Sequence, residues 1–134
     1  MTSADLVAAV FHSLIETAQW FDPDKECVIV FCLDRKNKLI GYNLVSLGSV
    51  SGSLCHPREV LRPVIVSAAS AFVLAHNHPS GDPSPSMGDT QITSMMRDAA
   101  KAVEITFLDH VIVGRAKDDP MGRGYYSFRE AGLI

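Results

Sequence analysis

The stretch of sequence that decides the fold is Ala71-Phe72-Val73-Leu74-Ala75-His76-Asn77-His78-Pro79-Ser80-Gly81-Asp82-Pro83-Ser84-Pro85-Ser86-Met87-Gly88-Asp89. The apolar residues at 71–75 predict a short buried strand whose C-terminal end delivers His76. A loop rich in proline, serine and glycine follows, and an amphipathic helix is predicted over 89–103. The inward face of that helix is predicted to comprise Ile92, Met95, Met96, Ala99 and Val103. A loop at the end of a buried strand is a place where scaffolds often hold functional groups.

The segments on either side of this stretch supply the other elements of one sheet. A helix is predicted over 3–18 with Ser3 as its cap, and the apolar run 27–33, introduced by Glu26, predicts a strand covered on both faces. Further predictions, in chain order, are a strand over 39–47 in a hairpin with the first, a Gly/Ser loop over 48–53, one helical turn at 57–61, a helix from Pro63 to about Ala69, and strands over 105–113 and 125–128. We therefore expect a single α/β (α+β) domain over residues 1–134, with 1–22 as an N-terminal helix and linker, and one mixed sheet flanked by helices.

Composition and charge restrict the classes of function. The chain has 134 residues, of which 47% are apolar and 20% charged, and this is typical of a soluble globular domain. The longest unbroken apolar run, 27–33, is too short to span a bilayer, and residues 1–5 lack the basic region of a signal peptide. We therefore expect a cytoplasmic protein without membrane contact, with buried, reduced thiols at Cys27, Cys32 and Cys55. The net charge is −3 and the basic residues are scattered, so charge gives no support to a nucleic-acid partner, although it does not exclude one.

The pair His76-x-His78 is the first candidate for chemistry. On an extended backbone, residues two apart project to the same side, so both imidazoles can face one point. Asp89 lies eleven residues after His78, and the loop between them is long enough to bring its carboxylate back to the histidines. Two imidazoles and one carboxylate leave a fourth tetrahedral position open, as in catalytic zinc sites, where the pKa of the bound water falls to roughly 7. These three residues are therefore candidate zinc ligands.

Structural explanations of the same residues stay open at this point. A lone H-x-H in a loop is more often a pair of surface histidines than a metal site. Ser86 and Asp89 also fit a capping box in which aspartate takes the place of glutamate, and residues 79–85 have the composition of ordinary turns. A helix cap and a metal ligand do not exclude each other.

The spacing of His76-x-His78, ten residues and Asp89, with Ser86 three residues before the aspartate, resembles the JAMM motif of MPN/JAB-domain metalloproteases. The segment 75–83 is similar to the RadC family, the bacterial branch historically named for DNA repair. Supporting stretches are 26–34, 57–60, 108–114 and 125–128, so the resemblance covers nearly the whole chain after residue 26. It implies an MPN/JAB-like (cytidine deaminase-like) architecture, a bound Zn²⁺ and hydrolysis of an amide or isopeptide bond.

The resemblance also implies roles for two further residues. In the JAMM pattern a glutamate near the start of an early strand acts as general base, and Glu26 stands at the matching place. Such a carboxylate accepts a proton from the attacking water and returns it to the leaving amine. Ser86 would, by the same resemblance, hydrogen-bond the developing oxyanion or the metal-bound water. Glu59 is a rival base, and the structural alternatives are an exposed strand-start residue for Glu26 and a first-turn helix glutamate for Glu59.

The other polar candidates have simpler explanations. His12 and His56 are expected to be solvated, His110 to be a hydrogen-bonded core or edge residue and not a fourth ligand, and Asp82 to be a loop acid that shapes the site. The chain has no H-E-x-x-H helix, no H-x-E followed by P-C-x-x-C and no G-x-S-x-G elbow. These absences argue against thermolysin-like proteases, nucleobase deaminases and α/β-hydrolases.

A second hypothesis is a RadC-like binding module that acts in DNA metabolism through partners and keeps a structural or vestigial metal. The helix-hairpin-helix region that commonly precedes this domain in RadC proteins is not found in the sequence, which weakens the expectation of direct DNA binding. The candidate catalytic set is complete, and this favours an enzyme. The sequence identifies neither the peptide or protein substrate nor the oligomeric state.

Overall fold

The computed structural model describes residues 3–48 and 55–134, which form a mixed α/β structure around a single five-stranded sheet. The elements, in chain order, are α1 (Ala4–Thr17), β1 (Glu26–Leu33), β2 (Leu39–Gly48), α2 (Pro57–Val66), β3 (Ala71–Asn77), α3 (Met87–Ala102), β4 (Thr106–Val113), a short 3-10 helix (Ala116–Asp118) and β5 (Tyr125–Ser127). The strand order is β2-β1-β3-β4-β5. Only the β3–β4 pair among these is parallel, so the predicted mixed sheet flanked by helices is confirmed. The predicted Gly/Ser loop lies outside the described residues except for Gly48, which ends β2.

The centre of the sheet is buried on both faces. Every residue of β3 is buried, and so is every residue of β1 after Glu26. One face packs against α1 through Phe11, and the other packs against α2 and α3, where Val60 and Met96 are inaccessible to solvent. Burial of each such side chain contributes roughly 1.5–3 kcal/mol. The prediction that the run 27–33 forms a strand covered on both faces is therefore confirmed.

The region of α2 differs from the prediction of one turn followed by a second helix from Pro63. The structure has one continuous helix that begins at Pro57 and contains Pro63 in its interior. An interior proline removes one backbone hydrogen bond and crowds the preceding turn, at a cost of about 3 kcal/mol. The buried side chains of Val60, Leu61 and Val64 offset this cost, because they place both halves of the helix on the same core.

The inward face of α3 was also predicted only in part. Ile92 and Met96 are buried as expected, but Met95 and Val103 are 45% and 42% exposed. The buried residues of the helix are Asp89, Ile92, Thr93, Met96 and Ala100. The prediction was wrong for Met95 and Val103, because it selected apolar residues alone, whereas this helix turns two polar side chains, Asp89 and Thr93, towards the sheet.

Two expectations from composition concern the thiols and the membrane. Cys27, Cys32 and Cys55 are buried, and no disulfide joins them. Burial raises the pKa of the Cys27 thiol to about 12 and that of Cys55 to about 11, so neither is a nucleophile near neutral pH. In the part of the chain that is described, no helix is both long and apolar enough to cross a membrane.

The loop after β3 is fastened to the end of β4 by backbone contacts. The His78 amide donates to the Val113 carbonyl at 3.0 Å, and the Arg115 amide donates to the Gly81 carbonyl at 2.7 Å. Gly81 has a φ of +89°, which an L side chain rarely adopts. A side chain at Gly114 would overlap the Gly81 carbonyl, so the two segments approach as closely as they do only because of these glycines.

Replacement of Gly114 by alanine should therefore lower the free energy of unfolding by about 1–3 kcal/mol, because the loop that carries His78 must move away. Urea denaturation measures this change. The matched control is Gly41→Ala in β2, where nothing lies within 4 Å of the added atom. Equal stability of the two variants would contradict the proposed close approach.

Candidate metal centre

His78 is held by the loop that follows β3. Its Nδ1 lies 2.9 Å from the carbonyl oxygen of Asp82. A carbonyl can only accept a hydrogen bond, so the proton of the neutral ring resides on Nδ1 and the lone pair on Nε2. The Asp82 side chain stays within its own turn, where it accepts hydrogen bonds from the amide and hydroxyl of Ser84. Asp82 thus shapes the site through its backbone, and the Nε2 of His78 is free to bind an ion.

Asp89 reaches the histidines because it is part of a helix cap. Ser86 is the N-cap of α3, its hydroxyl accepts from the Asp89 amide at 3.1 Å, and its own amide donates to Asp89 Oδ2 at 2.9 Å. This is the predicted capping box. The box turns the carboxylate back over the first turn of the helix and buries it, with 1% of its surface exposed.

The three candidate ligand residues form the corners of one small triangle, the ligand triangle, in which each histidine faces a different oxygen of the Asp89 carboxylate. Nε2 of His76 lies 3.2 Å from Nε2 of His78 and 3.2 Å from Oδ1 of Asp89, and Nε2 of His78 lies 3.1 Å from Oδ2 of Asp89. Atoms bound at about 2.0–2.1 Å to one tetrahedral ion are separated by roughly 3.3 Å. Buried His76 and Asp89 and half-buried His78 can therefore hold a metal ion.

Two further observations test whether an ion fits this triangle. Oδ1 of Asp89 is buried and, within the described residues, makes no hydrogen bond of acceptable geometry, although it is close to the His76 ring. Burial would raise the pKa of Asp89, but contacts with both imidazoles and the Ser86 amide lower that pKa below its usual value, so the carboxylate is ionised at neutral pH. A buried negative charge and a histidine lone pair that face one another are stabilised by a cation between them. The residues therefore fit a metal ion.

Glu26 lies at the start of β1 and is positioned by Asn77, the residue between the two histidines. The Asn77 side chain accepts from the amide of Cys27 at 2.8 Å and donates to the carbonyl of Lys25 at 3.1 Å, which fixes the backbone on both sides of Glu26. Oε2 of Glu26 is buried and finds no hydrogen-bond partner in the described segments. Burial raises the pKa of Glu26 to about 7, with His78 lowering it and Asp89 raising it. A carboxyl with this pKa can exchange protons near neutral pH.

A second layer of polar residues lies behind His76. Its Nδ1 is 2.9 Å from Nε2 of His110 in β4, and Nδ1 of His110 is 2.6 Å from the hydroxyl of Thr93 in α3. That hydroxyl also lies 2.9 Å from the carbonyl oxygen of Asp89. His110 stacks on Phe128 with a ring separation of 4.9 Å. His110 thus occupies the core beside a ligand and not the metal site itself.

Comparison with known proteins agrees with this geometry. The family model of the RadC-like JAB domain matches residues 1–133. The chain belongs to this family. The match supports the resemblance seen in the H-x-H, serine and aspartate spacing, and it accords with the mixed sheet described above.

Relatives of this RadC-like JAB domain are found in several bacteria. A UPF0758 protein of Thermotoga maritima is 45% identical over 111 residues, which make up 83% of this chain and 47% of that protein. A UPF0758 protein of Pelodictyon phaeoclathratiforme is 42% identical over 113 residues, 84% of this chain and 48% of its own length. One of Syntrophotalea carbinolica is 38% identical over 133 residues, 99% of this chain and 53% of that protein. The chain spans about half the length of the curated relatives it matches, and their names state no activity.

The RadC-like JAB domain brings together some of the candidate residues and not others. His76, His78 and Asp89 meet at one point, and Glu26 interacts electrostatically with the latter two. Ser86 is joined to Asp89 by the capping box and is exposed. The rival base Glu59 is exposed on the first turn of α2, where its carboxylate lies 3.7 Å from Arg58. His12 and His56, expected to be solvated, are both exposed.

The sequence prediction missed three contributors. Asn77 was treated only as the spacer of the H-x-H pair, Thr93 was not singled out, and His110 was not connected with any ligand. Each acts through a partner that is distant in sequence, such as the 50 residues that separate Asn77 from Cys27. The strand register was the only available signal, because His110 pairs with Leu74 and therefore lies diagonally across from His76 on the same face.

The raised pKa of Glu26 predicts a pH-dependent change in stability. Its pKa is 4.5 in the unfolded chain and about 7 in the fold, so its ionisation destabilises the fold as the pH rises from 4.5 through 7. In metal-free protein, Glu26→Gln should therefore be more stable than wild type by about 1–2 kcal/mol at pH 8, a value reduced for partial burial, and by much less at pH 5.

Urea denaturation at the two pH values measures this difference. The matched control is Glu59→Gln on exposed α2, which should change stability by no more than about 0.5 kcal/mol at either pH. A difference between Glu26→Gln and wild type that does not grow with pH would refute the raised pKa.

Proposed function

We propose that this RadC-like JAB domain is a zinc-dependent hydrolase that cleaves amide or isopeptide bonds of a peptide or protein. His76, His78 and Asp89 are the zinc ligands, Glu26 is the general base, and Ser86 stabilises the oxyanion. The observation that carries the proposal is the ligand triangle, in which facing atoms of the three residues are 3.1–3.2 Å apart, together with the nearby Glu26, whose buried Oε2 has no hydrogen-bond partner in the described residues. Two imidazole nitrogens favour zinc over magnesium or calcium, which prefer oxygen.

Glu26 moves the proton in the proposed reaction. When bound, an ion with three protein ligands supplies an open coordination position at which a water molecule is activated and a carbonyl polarised. Oε2 of Glu26 takes a proton from the attacking water and delivers it to the nitrogen of the leaving amine as the C–N bond breaks. A pKa near 7 suits both steps, since the carboxylate must accept the proton and later release it. Asn77 keeps the carboxyl in reach by holding the backbone on both sides of it.

Ser86 is proposed to act through its hydroxyl hydrogen. Its oxygen accepts from the Asp89 amide, which leaves the hydroxyl hydrogen free to donate to the substrate carbonyl oxygen as negative charge develops there. Loss of one donor of this kind costs about 10²–10³ in rate. The first turn of α3 adds the positive end of its dipole at the same place.

The proposed location is the cytoplasm, which the free and buried thiols support because reducing conditions keep cysteines unpaired. The chain covers about half the length of its relatives. The proposal therefore concerns the bond that this domain cleaves and does not name the substrate of a whole protein of this family. A screen of peptide and isopeptide libraries is the direct way to find it.

The first test concerns the metal. Wild-type protein should bind about one zinc per chain, and His78→Ala should lose it, since removal of one of three protein ligands leaves too few for a stable site. Atomic absorption after gel filtration measures the stoichiometry. His12→Ala on the exposed face of α1 serves as the control and should retain zinc. Full retention in both His76→Ala and His78→Ala would rule out these ligands.

The second test separates metal binding from chemistry. Glu26→Gln should keep its zinc and lower hydrolysis of a library-derived substrate by about 10²–10⁴, because the amide cannot accept the proton. Glu59→Gln is the matched control and should leave the rate unchanged. An undiminished rate in Glu26→Gln, together with loss of activity in Glu59→Gln, would show that Glu59 in α2 is the base.

A further inference from the structure

We propose that His110 and Thr93 are positioning residues of the metal centre. Together they form a hydrogen-bond chain of fixed direction, which holds the proton of His76 on Nδ1 and so presents the Nε2 lone pair to the ion. The inference rests on the proposed zinc site and adds two residues outside its ligand set. It concerns where the protons reside, so it can be tested in the metal-free protein as well as in the zinc-bound one.

The hydrogen-bond chain consists of four groups, each in contact with the next. Nδ1 of His76 lies 2.9 Å from Nε2 of His110, and Nδ1 of His110 lies 2.6 Å from Oγ1 of Thr93. Oγ1 of Thr93 lies 2.9 Å from the main-chain oxygen of Asp89. The side-chain surfaces are almost wholly buried, since the exposed fractions of His76, Thr93 and His110 are 3%, 2% and 1%. Bulk water therefore does not compete with these contacts in the folded protein.

The donor and acceptor roles along the hydrogen-bond chain follow from its last member, the main-chain carbonyl of Asp89. The main-chain oxygen of Asp89 can only accept, so the single hydroxyl hydrogen of Thr93 points to it. Oγ1 of Thr93 must then accept from Nδ1–H of His110, and this leaves the Nε2 of that neutral ring as an acceptor. Nε2 of His110 in turn accepts from Nδ1–H of His76. Nε2 of His76 is therefore the unprotonated nitrogen, and it is the atom that lies at the ligand triangle.

Packing holds the His110 ring in the orientation that its hydrogen bonds to His76 and Thr93 require. The ring stacks on Phe128 at an interplanar angle of 14°, and the Phe128 amide donates to the His110 carbonyl at 3.0 Å. The preceding residue, Asp109, accepts from the Ser127 hydroxyl at 2.6 Å and from the Arg129 amide at 3.0 Å. These contacts join β4 to the segment after β5 and give His110 a fixed position relative to His76.

Both ends of the hydrogen-bond chain are candidate metal ligands. One end is His76, whose Nε2 lies 3.2 Å from the carboxylate of Asp89, and the other end is the main-chain carbonyl of the same Asp89. A partner that accepts from the second nitrogen of a metal-binding histidine fixes its tautomer and makes it a better ligand. His78 obtains the same help from the Asp82 carbonyl, so both ligand rings have their protons held away from the ion.

Matched variants at two positions test the proposal. His110→Leu removes the acceptor and should weaken zinc affinity by about 10–100-fold, whereas His110→Gln keeps an acceptor for His76 and a donor for Thr93 and should restore most of it. Thr93→Val removes the hydroxyl with little change of shape and should weaken affinity by about 10-fold, and Thr93→Ser should restore it. Competition with a chromophoric chelator, on protein shown to be folded by circular dichroism, measures these affinities. A merely structural role would lower stability without this pattern of rescue.

Nitrogen-15 spectra of the imidazoles provide the second readout. In metal-free wild-type protein, His76 and His110 should each carry hydrogen on Nδ1, while the exposed His12 and His56 should average over both tautomers. A proton on Nε2 of His110 would overturn the proposal, whether or not any variant folds. Affinities of His110→Leu and Thr93→Val equal to that of wild type would overturn it as well. If wild-type protein binds no zinc, the proposed function fails. The positions of the protons on His76 and His110 then still show whether the hydrogen-bond chain has the inferred direction.

Discussion

The reciprocal hydrogen bonds between Ser86 and Asp89 close the first turn of α3 and hold the Asp89 carboxylate beside the histidines at the end of β3. A helix cap of this kind is worth on the order of 1 kcal/mol, whereas burial of an ionised carboxylate costs several. The cap alone therefore does not account for the position of Asp89. Its two oxygens face His76 and His78, and its main-chain oxygen receives the Thr93 hydroxyl. One residue thus fixes the helix start, the ligand triangle and the hydrogen bonds behind it.

The other side of the site depends on how closely the strand ends approach one another. Asn77 bridges the end of β3 and the start of β1, and the glycines at 81 and 114 allow the loop to lie against the end of β4. These contacts involve backbone atoms, so they fix the distances between the ends of β1, β3 and β4 more closely than side-chain packing alone would. These two connections bring Glu26 and His78 close enough to interact electrostatically.

The sequence was sufficient for the features that depend on nearby residues. The capping box, the strand 27–33 and the three candidate ligands each depend on local spacing or on the resemblance to one motif, and the structure brings the ligands together. The features that were missed depend on distant partners. Asn77 acts on a strand that precedes it by 50 residues, and the contact of His110 with His76 spans 34. Interior Pro63 and buried Thr93 likewise follow from tertiary packing, which outweighs helix propensity and simple apolar patterns.

The compactness of the ligand set along the chain has a consequence for assembly. All three candidate ligands lie within the fourteen positions 76–89, so the chain can form the chelate by closing one short loop. The entropy of such a closure is small, and an ion can associate before β3 has joined the sheet. An ion that also binds the unfolded chain stabilises the fold by less than its affinity for the folded site implies. An ion held by these three residues would therefore bring the start of α3 to the end of β3, and it could do so during synthesis before the sheet is complete.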